Sequence, residues 1–373
     1  MNLLPQASGT RPRVACEISP QGVVSARSAD AAAPLGAVAR VELAEGAVVP
    51  GLKPGNVVDR VAVAAAVRSA LEQVDAKPNS RDGDITLVIP DAAVRVLLLD
   101  FDSLSSKAAE VLAIVRFRLK KLLPFDADEA MVSYQVMSSG KSGVRVLAVA
   151  IPPDVLSEYE TAVREAGFEP GSVLPSTLAA LAAVEGDGAA LLVNANVLGV
   201  TTAIVRSGVL MLHRSVDLQE HNLEGHVGYS AVTVPETLPL VDVQGSQAEW
   251  AAQEALPEHG RDPYAAAPAA VSAAESEPAS DLRPVTLSSE IAQAVSVAAA
   301  YFEDTLAMSP SWVLSAGPLS AERLARILRD EGVGPEDGLT VRELVENSAL
   351  LSDAVKATVP RAWLSSVTGA LRG

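Results

Sequence analysis

SLSSKAAEVLAIVRFRLKKLLPF, at residues 103–125, opens the stretch of sequence that decides the fold of this chain. Its apolar side chains recur every three or four residues and form one stripe, as on an amphipathic helix. They are Leu104, Ala108, Val111, Leu112, Val115, Leu119 and Leu122. Ser103 is placed to cap the N-terminus, and Pro124 ends the helix because the residue before a proline disfavours helical backbone. We therefore predict one helix between Ser103 and Pro124.

Two strands and a second helix follow. Val132, Tyr134 and Val136 alternate with Ser133 and Gln135, which is the period of a strand with one buried face. The apolar run at 144–151 predicts a second strand, and helical spacing returns at 154–166. The stretch closes at 167–181 with GFEPGSVLPSTLAAL. The predicted order is helix, strand, strand, helix.

This order, with its PF turn, YQV strand, VLAVAIP strand and closing AGFEPGSVLPSTLAAL, resembles the inserted subdomain of the PilM family. The C-terminal ATVPRAWLSSVTGALRG also resembles the helix that closes PilM sequences. The resemblance implies an α/β, bilobed actin-like ATPase fold, which is a duplicated ribonuclease H-like fold with an inserted α/β subdomain. The implied function is that of a cytoplasmic scaffold in type IV pilus assembly.

The strand, hairpin, helix and strand patterns on either side divide the chain into two expected lobes. An N-terminal tail at 1–12 precedes lobe I at 13–188, and the inserted subdomain takes 103–168 of that lobe. Lobe II takes 189–216 and 284–373. Between its two parts, residues 217–283 carry twelve acids against two bases, so that acidic insert is expected to be disordered.

Composition excludes several classes of partner. The 373 residues carry a formal net charge of −17, which argues against a nucleic-acid surface and against unassisted binding to anionic lipid. One cysteine, Cys16, cannot form a disulfide within the chain. The uncharged run at 189–205 contains asparagines, threonines and a glycine and is too short for a spanning helix. We expect a soluble, cytoplasmic protein that reaches the inner membrane only through partners.

Members of this fold hold ATP between the lobes, and the resemblance places three phosphate or adenosine turns in this sequence. They are Glu17-Ile18-Ser19-Pro20, Asn194-Ala195-Asn196 and Ser315-Ala316-Gly317. Each departs from the family pattern: Glu replaces Asp, Pro20 lacks an N–H, a carboxylate is lost at Asn194, and Ala316 replaces a glycine. Two interpretations follow. Either a residual site uses Glu17, Ser19, Gln21, Gly22, Asn194 and Gly317 to hold ATP and magnesium, or these are ordinary turns and no cofactor binds. We expect no hydrolysis and no enzyme.

Other catalytic or metal chemistry has little support in the sequence. The histidines are His213, His221, His226 and His259, without the HxH or HExxH spacing of a metal site. Three of them fall in the acidic insert and are expected to be solvated. Cys16 lies in an apolar strand, where an inert core thiol is favoured over a nucleophile.

The resemblance also implies a peptide partner. PilM binds the cytoplasmic tail of PilN, whose motif is Ile-Asn-Leu-Leu-Pro, and reaches PilO and the pilus platform through it. Here Phe125 and Tyr134, with Arg116, are the expected walls of that peptide groove, although plain core packing also explains the two aromatic residues. The chain itself begins Met1-Asn2-Leu3-Leu4-Pro5. This tail, Asn2 to Pro5, either occupies the same groove, in its own molecule or in a second copy by self-association, or is a chance match.

Two further functions remain open on the sequence alone. One is an active actin-like ATPase or sugar kinase, which intact phosphate turns would favour. The other is a scaffold of a related secretion or division machine, which shares the fold but normally continues into a transmembrane helix. Because a fold by itself does not fix a function, the pilus assignment depends on the inserted subdomain.

Overall fold

The computed structural model describes residues 12–78, 84–140, 143–218, 287–308, 310, 312–334, 339–351 and 359–372. The tail residues Asn2 to Pro5, all but the first two residues of the acidic insert and three of the histidines lie outside these ranges. All described residues belong to one compact unit. Within them, no helix has both the length and the apolar composition needed to cross a membrane.

The first sheet has five strands in the order β3-β2-β1-β4-β8. Its strands are β1 Val14–Ser19, β2 Gly22–Ser28, β3 Leu35–Glu42, β4 Asp84–Ile89 and β8 Glu169–Pro175. β1, β2 and β3 pair antiparallel, whereas β4 lies parallel to both β1 and β8. One face of this sheet is covered by α1 (Arg60–Gln73) and α3 (Pro153–Glu165), and Cys16 and Ile18 of β1 pack against them.

The second sheet repeats this arrangement in the order β11-β10-β9-β12-β13. Its strands are β9 Ala189–Ala195, β10 Gly199–Arg206, β11 Val209–Asp217, β12 Val313–Ala316 and β13 Val341–Glu343. As in the first sheet, β9, β10 and β11 pair antiparallel, and β12 lies parallel to both β9 and β13. Helices α5 (Leu287–Leu306) and α6 (Ala321–Asp330) pack on one face through Ile291, Val295 and Leu324. The repeated topology matches the predicted duplication.

The small sheet contains β5 Arg95–Phe101, β6 Met131–Gly140 and β7 Gly143–Ile151, antiparallel in the order β5-β7-β6. Helix α2, Ala108–Leu119, covers one face with Val111, Val115 and Leu119. The helix begins later than predicted, and Ser103 does not cap it. The sheet also starts before residue 103, and α3 packs into the core of the first sheet. The small sheet and α2 therefore occupy Arg95–Ile151, whereas the predicted subdomain was 103–168, and its bounds stay a prediction.

The opposite face of the small sheet is buried as well. Met137 and Leu147 from that face share a core with Leu178 and Leu181 of α4 (Ser176–Leu181) and with Leu192 of the second sheet. The small sheet thus packs against α2 on one side and against the junction of the two larger sheets on the other.

Helix α4 follows the first sheet, and helix α7, Ser365–Arg372, closes the chain. The two helices cross at Gly369, where a Cβ would overlap the carbonyl oxygen of Ala179. Only glycine permits this close backbone approach. The contact brings the N-terminal residues of the two helices together, so that Ser176 and Ser366 meet.

We expect Gly369→Ala to destabilise the fold by about 2 kcal/mol or more, because the added methyl group must push α7 away from α4. Urea unfolding measures the change. Gly188→Ala is the matched control, since a Cβ at Gly188 would meet nothing within 4 Å. Equal stability of the two variants would contradict the close approach.

Candidate functional site at the junction of the two sheets

The end of β1 meets the N-termini of α4 and α7 at one carboxylate. Glu17 Oε1 accepts hydrogen bonds from Ser176 Oγ at 2.8 Å and from Ser366 Oγ at 3.1 Å. The two serine hydroxyl oxygens are themselves 3.0 Å apart. Glu17 is therefore tied to both crossing helices by residues far away in the sequence.

A second set of hydrogen bonds links these helices to the second sheet. Asn194, in β9, donates through Nδ2 to Ser176 Oγ and to Thr177 Oγ1, both at 3.0 Å, and more weakly to Asp91 at 3.4 Å. Asp91 accepts from the Thr177 N–H at 3.0 Å and from its hydroxyl. Pro175, which precedes α4, has no side-chain acceptor, so Asp91 provides the cap from the end of β4.

We call this set of hydrogen-bonded side chains the junction network. Its members are Glu17, Asp91, Ser176, Thr177, Asn194 and Ser366. Sequence reasoning placed Glu17 and Asn194 in a common site, and the structure brings both into this network. It missed the other four. The available signal for Asp91 was a carboxylate directly after the buried strand TLVIP, at the carboxyl end of a parallel strand.

The electrostatics of the junction are set by burial. The pKa of the Glu17 carboxyl is raised from 4.5 to about 7, chiefly by burial and also by the nearby Asp91 carboxylate, while the hydrogen bonds from the two serine hydroxyls lower it. Burial lowers the pKa of His213, in β11, against the effect of Asp91. Unlike the expected solvated histidines, His213 has a buried Nε2 atom.

Two glycines of the predicted nucleotide turns, Gly22 after β1 and Gly317 after β12, are constrained by their surroundings. A Cβ at Gly22, whose φ is +152°, would lie 2.5 Å from the carbonyl oxygen of Val41. Gly317 has a φ of +78°, and a Cβ there would overlap Asn194 Oδ1. Ser19 Oγ donates to the Gly22 carbonyl at 2.8 Å, so its hydroxyl closes the β1–β2 turn. Both glycines are therefore required by the fold itself.

An open pocket of about 100 Å³ lies beside the network, between the β1–β2 turn and helices α5 and α6. Gln21 lines it from the first sheet, and Asn196, Leu287 and Arg323 line it from the second sheet and its helices. Within the described part of the chain, the buried Oε1 atom of Gln21 has no hydrogen-bond partner. Gly317 itself does not line the pocket, although Pro318 and Leu319 after it do.

The expected peptide-groove residues lie in the small sheet and its helix. Phe125 and Tyr134 are partly buried against the core beneath α2, and the Tyr134 hydroxyl donates to the Ala108 carbonyl at 3.1 Å. Arg116 donates from Nη1 to the carbonyl oxygens of Ala127 at 2.6 Å and Ala130 at 2.9 Å. These contacts hold the small sheet to α2, and the groove role of the three residues stays a prediction.

Two other candidates can be assigned. Cys16 is fully buried in the core of the first sheet, and burial raises the pKa of its thiol to about 12, which disfavours the reactive thiolate. Within the described ranges, no group of three or more His, Cys, Asp or Glu side chains is arranged to hold a metal ion.

No family model and no curated protein matches this chain. Solved structures do. A chain of a PilM–PilN type IV pilus biogenesis complex has 16% sequence identity and a TM-score of 0.61, covering 98% of this chain and 99% of that chain. The cytoplasmic domain of EpsL, an inner-membrane component of the type II secretion system of Vibrio cholerae, has 12% identity and a TM-score of 0.36. It covers 55% of this chain and 70% of that one.

A third match is the ethanolamine utilization protein EutJ from Carboxydothermus hydrogenoformans, with 10% identity, a TM-score of 0.40 and coverage of 100% and 95%. The first similarity extends over nearly the whole of both chains, and the two larger sheets have the duplicated topology described above. The chain therefore has the predicted actin-like fold.

The pKa of Glu17 predicts how stability depends on pH. Because the folded chain holds this proton up to about pH 7 and the unfolded chain releases it near pH 4.5, Glu17 lowers the stability as pH rises through this window. We expect Glu17→Gln, which cannot ionise, to gain roughly 1–3 kcal/mol relative to the wild type between pH 5 and pH 8. Denaturant unfolding of both proteins at the two pH values measures this.

His213 contributes to the pH dependence of stability with the opposite sign, because its pKa is lowered in the folded chain. This contribution is present in both proteins and cancels when their stabilities are compared. Glu45→Gln, at an exposed carboxylate, is the matched control and should leave the pH dependence unchanged. An unchanged pH dependence in Glu17→Gln would show that Glu17 ionises normally.

Proposed function

We propose that this chain is a cytoplasmic scaffold of type IV pilus assembly that captures the N-terminal tail of a PilN-like partner. The observation that carries the proposal is the similarity to a chain of the PilM–PilN complex over 98% of the present chain. Through that partner the scaffold would reach PilO and the inner-membrane platform, as a peripheral component held at the membrane by other proteins.

Capture of an extended peptide fits the arrangement of the chain. A short apolar motif that is stiffened by proline loses little entropy on binding, and its leucines fill pockets while its backbone is held in a groove. The proposed wall of that groove is the small sheet, with Phe125, Tyr134 and Arg116 at its α2 side. Phe125 and Tyr134 are partly buried there, so part of each ring remains accessible.

The junction network supports binding rather than catalysis. ATP with magnesium needs a carboxylate for the metal and free backbone N–H groups for the phosphates. Glu17 already accepts from two serine hydroxyls, and Asn194 stands where the family has a second carboxylate. Pro20 offers no N–H in the first turn. These residues do not fit a magnesium–phosphate group, so we assign no hydrolytic activity.

A labelled peptide containing Ile-Asn-Leu-Leu-Pro should bind with a dissociation constant of about 1–100 µM, measured by fluorescence anisotropy. A scrambled peptide is the control for sequence. Phe125→Leu should weaken binding if Phe125 lines the groove, whereas Phe101→Leu, at another partly buried phenylalanine of the same core, should not. Equal affinity for the scrambled peptide would refute tail capture.

ATP with magnesium should show no saturable binding below about millimolar concentration in isothermal titration calorimetry. The physical reason is that burial raises the pKa of Glu17, which disfavours the carboxylate form that magnesium needs, and that Pro20 offers no N–H to a phosphate. A micromolar dissociation constant would restore the actin-like ATPase or sugar kinase as the leading alternative.

A further inference from the structure

The outer face of α2 is apolar. Its inner face packs on the small sheet through Val111, Val115 and Leu119. On the other side of the helix, Ile114 is 40% exposed and Phe117 is 69% exposed. A helix that is apolar all round is normally buried all round. The composition of α2 is therefore that of a helix covered on both faces, whereas the described part of the chain covers one of them.

Phe117 is the main apolar feature of this outer face. It is more exposed than any other phenylalanine or tryptophan that the structure describes, and the next of them, Trp312, is 39% exposed. A large aromatic ring in solvent is unfavourable, because its apolar area stays in contact with water. Aromatic residues are also enriched in the centre of protein interfaces. Phe117 is therefore a candidate anchor for a partner.

Two cations continue the line of apolar residues. Phe117, Arg118 and Lys121 lie three, four and seven residues after Ile114, so the four share one side of the helix and of the turn that follows it. We call these four residues the α2 stripe. The side chains of both cations are exposed, and neither forms an ion pair within the described ranges. The stripe therefore offers two positive charges, next to its apolar residues, to a partner.

The other charged side chains of α2 and its ends already have partners. Lys120 Nζ pairs with Asp128 Oδ2 at 2.6 Å, and Lys107 Nζ pairs with Glu110 Oε1 at 2.9 Å. Arg116 donates to backbone carbonyl oxygens of the loop that follows the helix. The charges that remain for an external ligand are thus the two cations of the stripe.

These charges favour an acidic peptide over an anionic membrane as the partner. Cations beside apolar anchors are complementary to carboxylates beside apolar residues. A flat anionic surface would also approach the exposed acids of the loop after α2, which are Asp126, Asp128 and Glu129. The net charge of −17 further opposes contact of the whole chain with such a surface. A narrow peptide can contact the stripe alone.

The order of residues in the stripe indicates the direction of the partner. The apolar residues come first along α2, and the cations lie at its C-terminal end. A partner helix that packs antiparallel would place its acids in its own first turn, where the helix dipole favours negative charge. Its apolar residues would follow one turn later and pack on those of the stripe. An antiparallel amphipathic helix therefore satisfies both ends of the stripe.

We propose that the α2 stripe is a docking site for an acidic, amphipathic helix of a partner protein. The helix packs antiparallel to α2, its apolar side chains cover Ile114 and Phe117, and its first-turn carboxylates pair with the two cations. This inference is independent of the proposed pilus function, because the expected groove residues Phe125 and Tyr134 pack in the core beneath α2 and not on its outer face.

Fluorescence anisotropy with a designed helical peptide tests the proposal. The labelled peptide carries glutamates in its first turn and leucines one turn later on the same face. The full chain should bind it with a dissociation constant of about 10–500 µM, and Phe117→Ser should raise that constant about tenfold or more. Val61→Ser is the matched control, because Val61 is 81% exposed on α1 and lies outside the stripe.

A charge swap separates loss of docking from damage to the fold. The double variant Arg118→Glu, Lys121→Glu should lose the acidic peptide and should bind the same peptide with lysine in place of each glutamate. Arg68→Glu, at an exposed cation of α1, is the control and should leave both affinities unchanged. Thermal unfolding checks that every variant retains its fold.

Several outcomes overturn the proposal. One is the absence of saturable binding below about 1 mM, and another is binding that Phe117→Ser and the charge swap leave unchanged. Equal affinity of the wild type for the acidic and the lysine peptide also refutes it. If phosphatidylglycerol vesicles bind through the stripe and the peptide does not, the surface belongs to a membrane. If sedimentation velocity shows a dimer that Phe117→Ser dissociates, the stripe is covered by a second copy and the proposed partner is refuted.

Discussion

The close approach of two helix backbones, at Gly369 of α7 and Ala179 of α4, is the constraint on which the centre of the molecule depends. It leaves no room for a side chain, so the N-termini of the two helices lie side by side. Ser176 and Ser366 then come within 3.0 Å of each other, and both donate to Glu17. A contact made by two backbones thus determines the surroundings of a carboxylate that is distant from both helices in the sequence.

The junction network gives the two large sheets a shared polar core. Glu17 comes from the first sheet and Asn194 from the second, and Ser176 bonds to both. Buried polar groups are costly unless they are paired, and here each has a partner, so the network favours one relative position of the sheets. The two large sheets of this chain are therefore linked by hydrogen bonds between their own side chains and those of α4.

Much of this architecture could be predicted from the sequence, because strand and helix periods are local. The alternation at Val132–Val136 indicated β6, and Pro124 lies just beyond α2. The predicted start of α2 was wrong, since Ser103 has the right chemistry for a cap but the helix begins only at Ala108, after an extended Lys107. Asp91 and Ser366 were missed for another reason. Asp91 had a local signal, its place at the carboxyl end of a parallel strand, but its partner Thr177 is distant in sequence. Ser366 had none, because its contact with Glu17 is created only by the crossing of α4 and α7.

The small sheet is enclosed on both faces, with α2 on one side and Leu178 and Leu192 on the other. Insertions are best tolerated at exposed loop tips, where little of the host surface is buried. Removing Arg95–Ile151 from this chain would instead uncover leucines of α4 and of the second sheet. A chimera that transplants the small sheet or its host therefore needs a matching apolar surface on the other part.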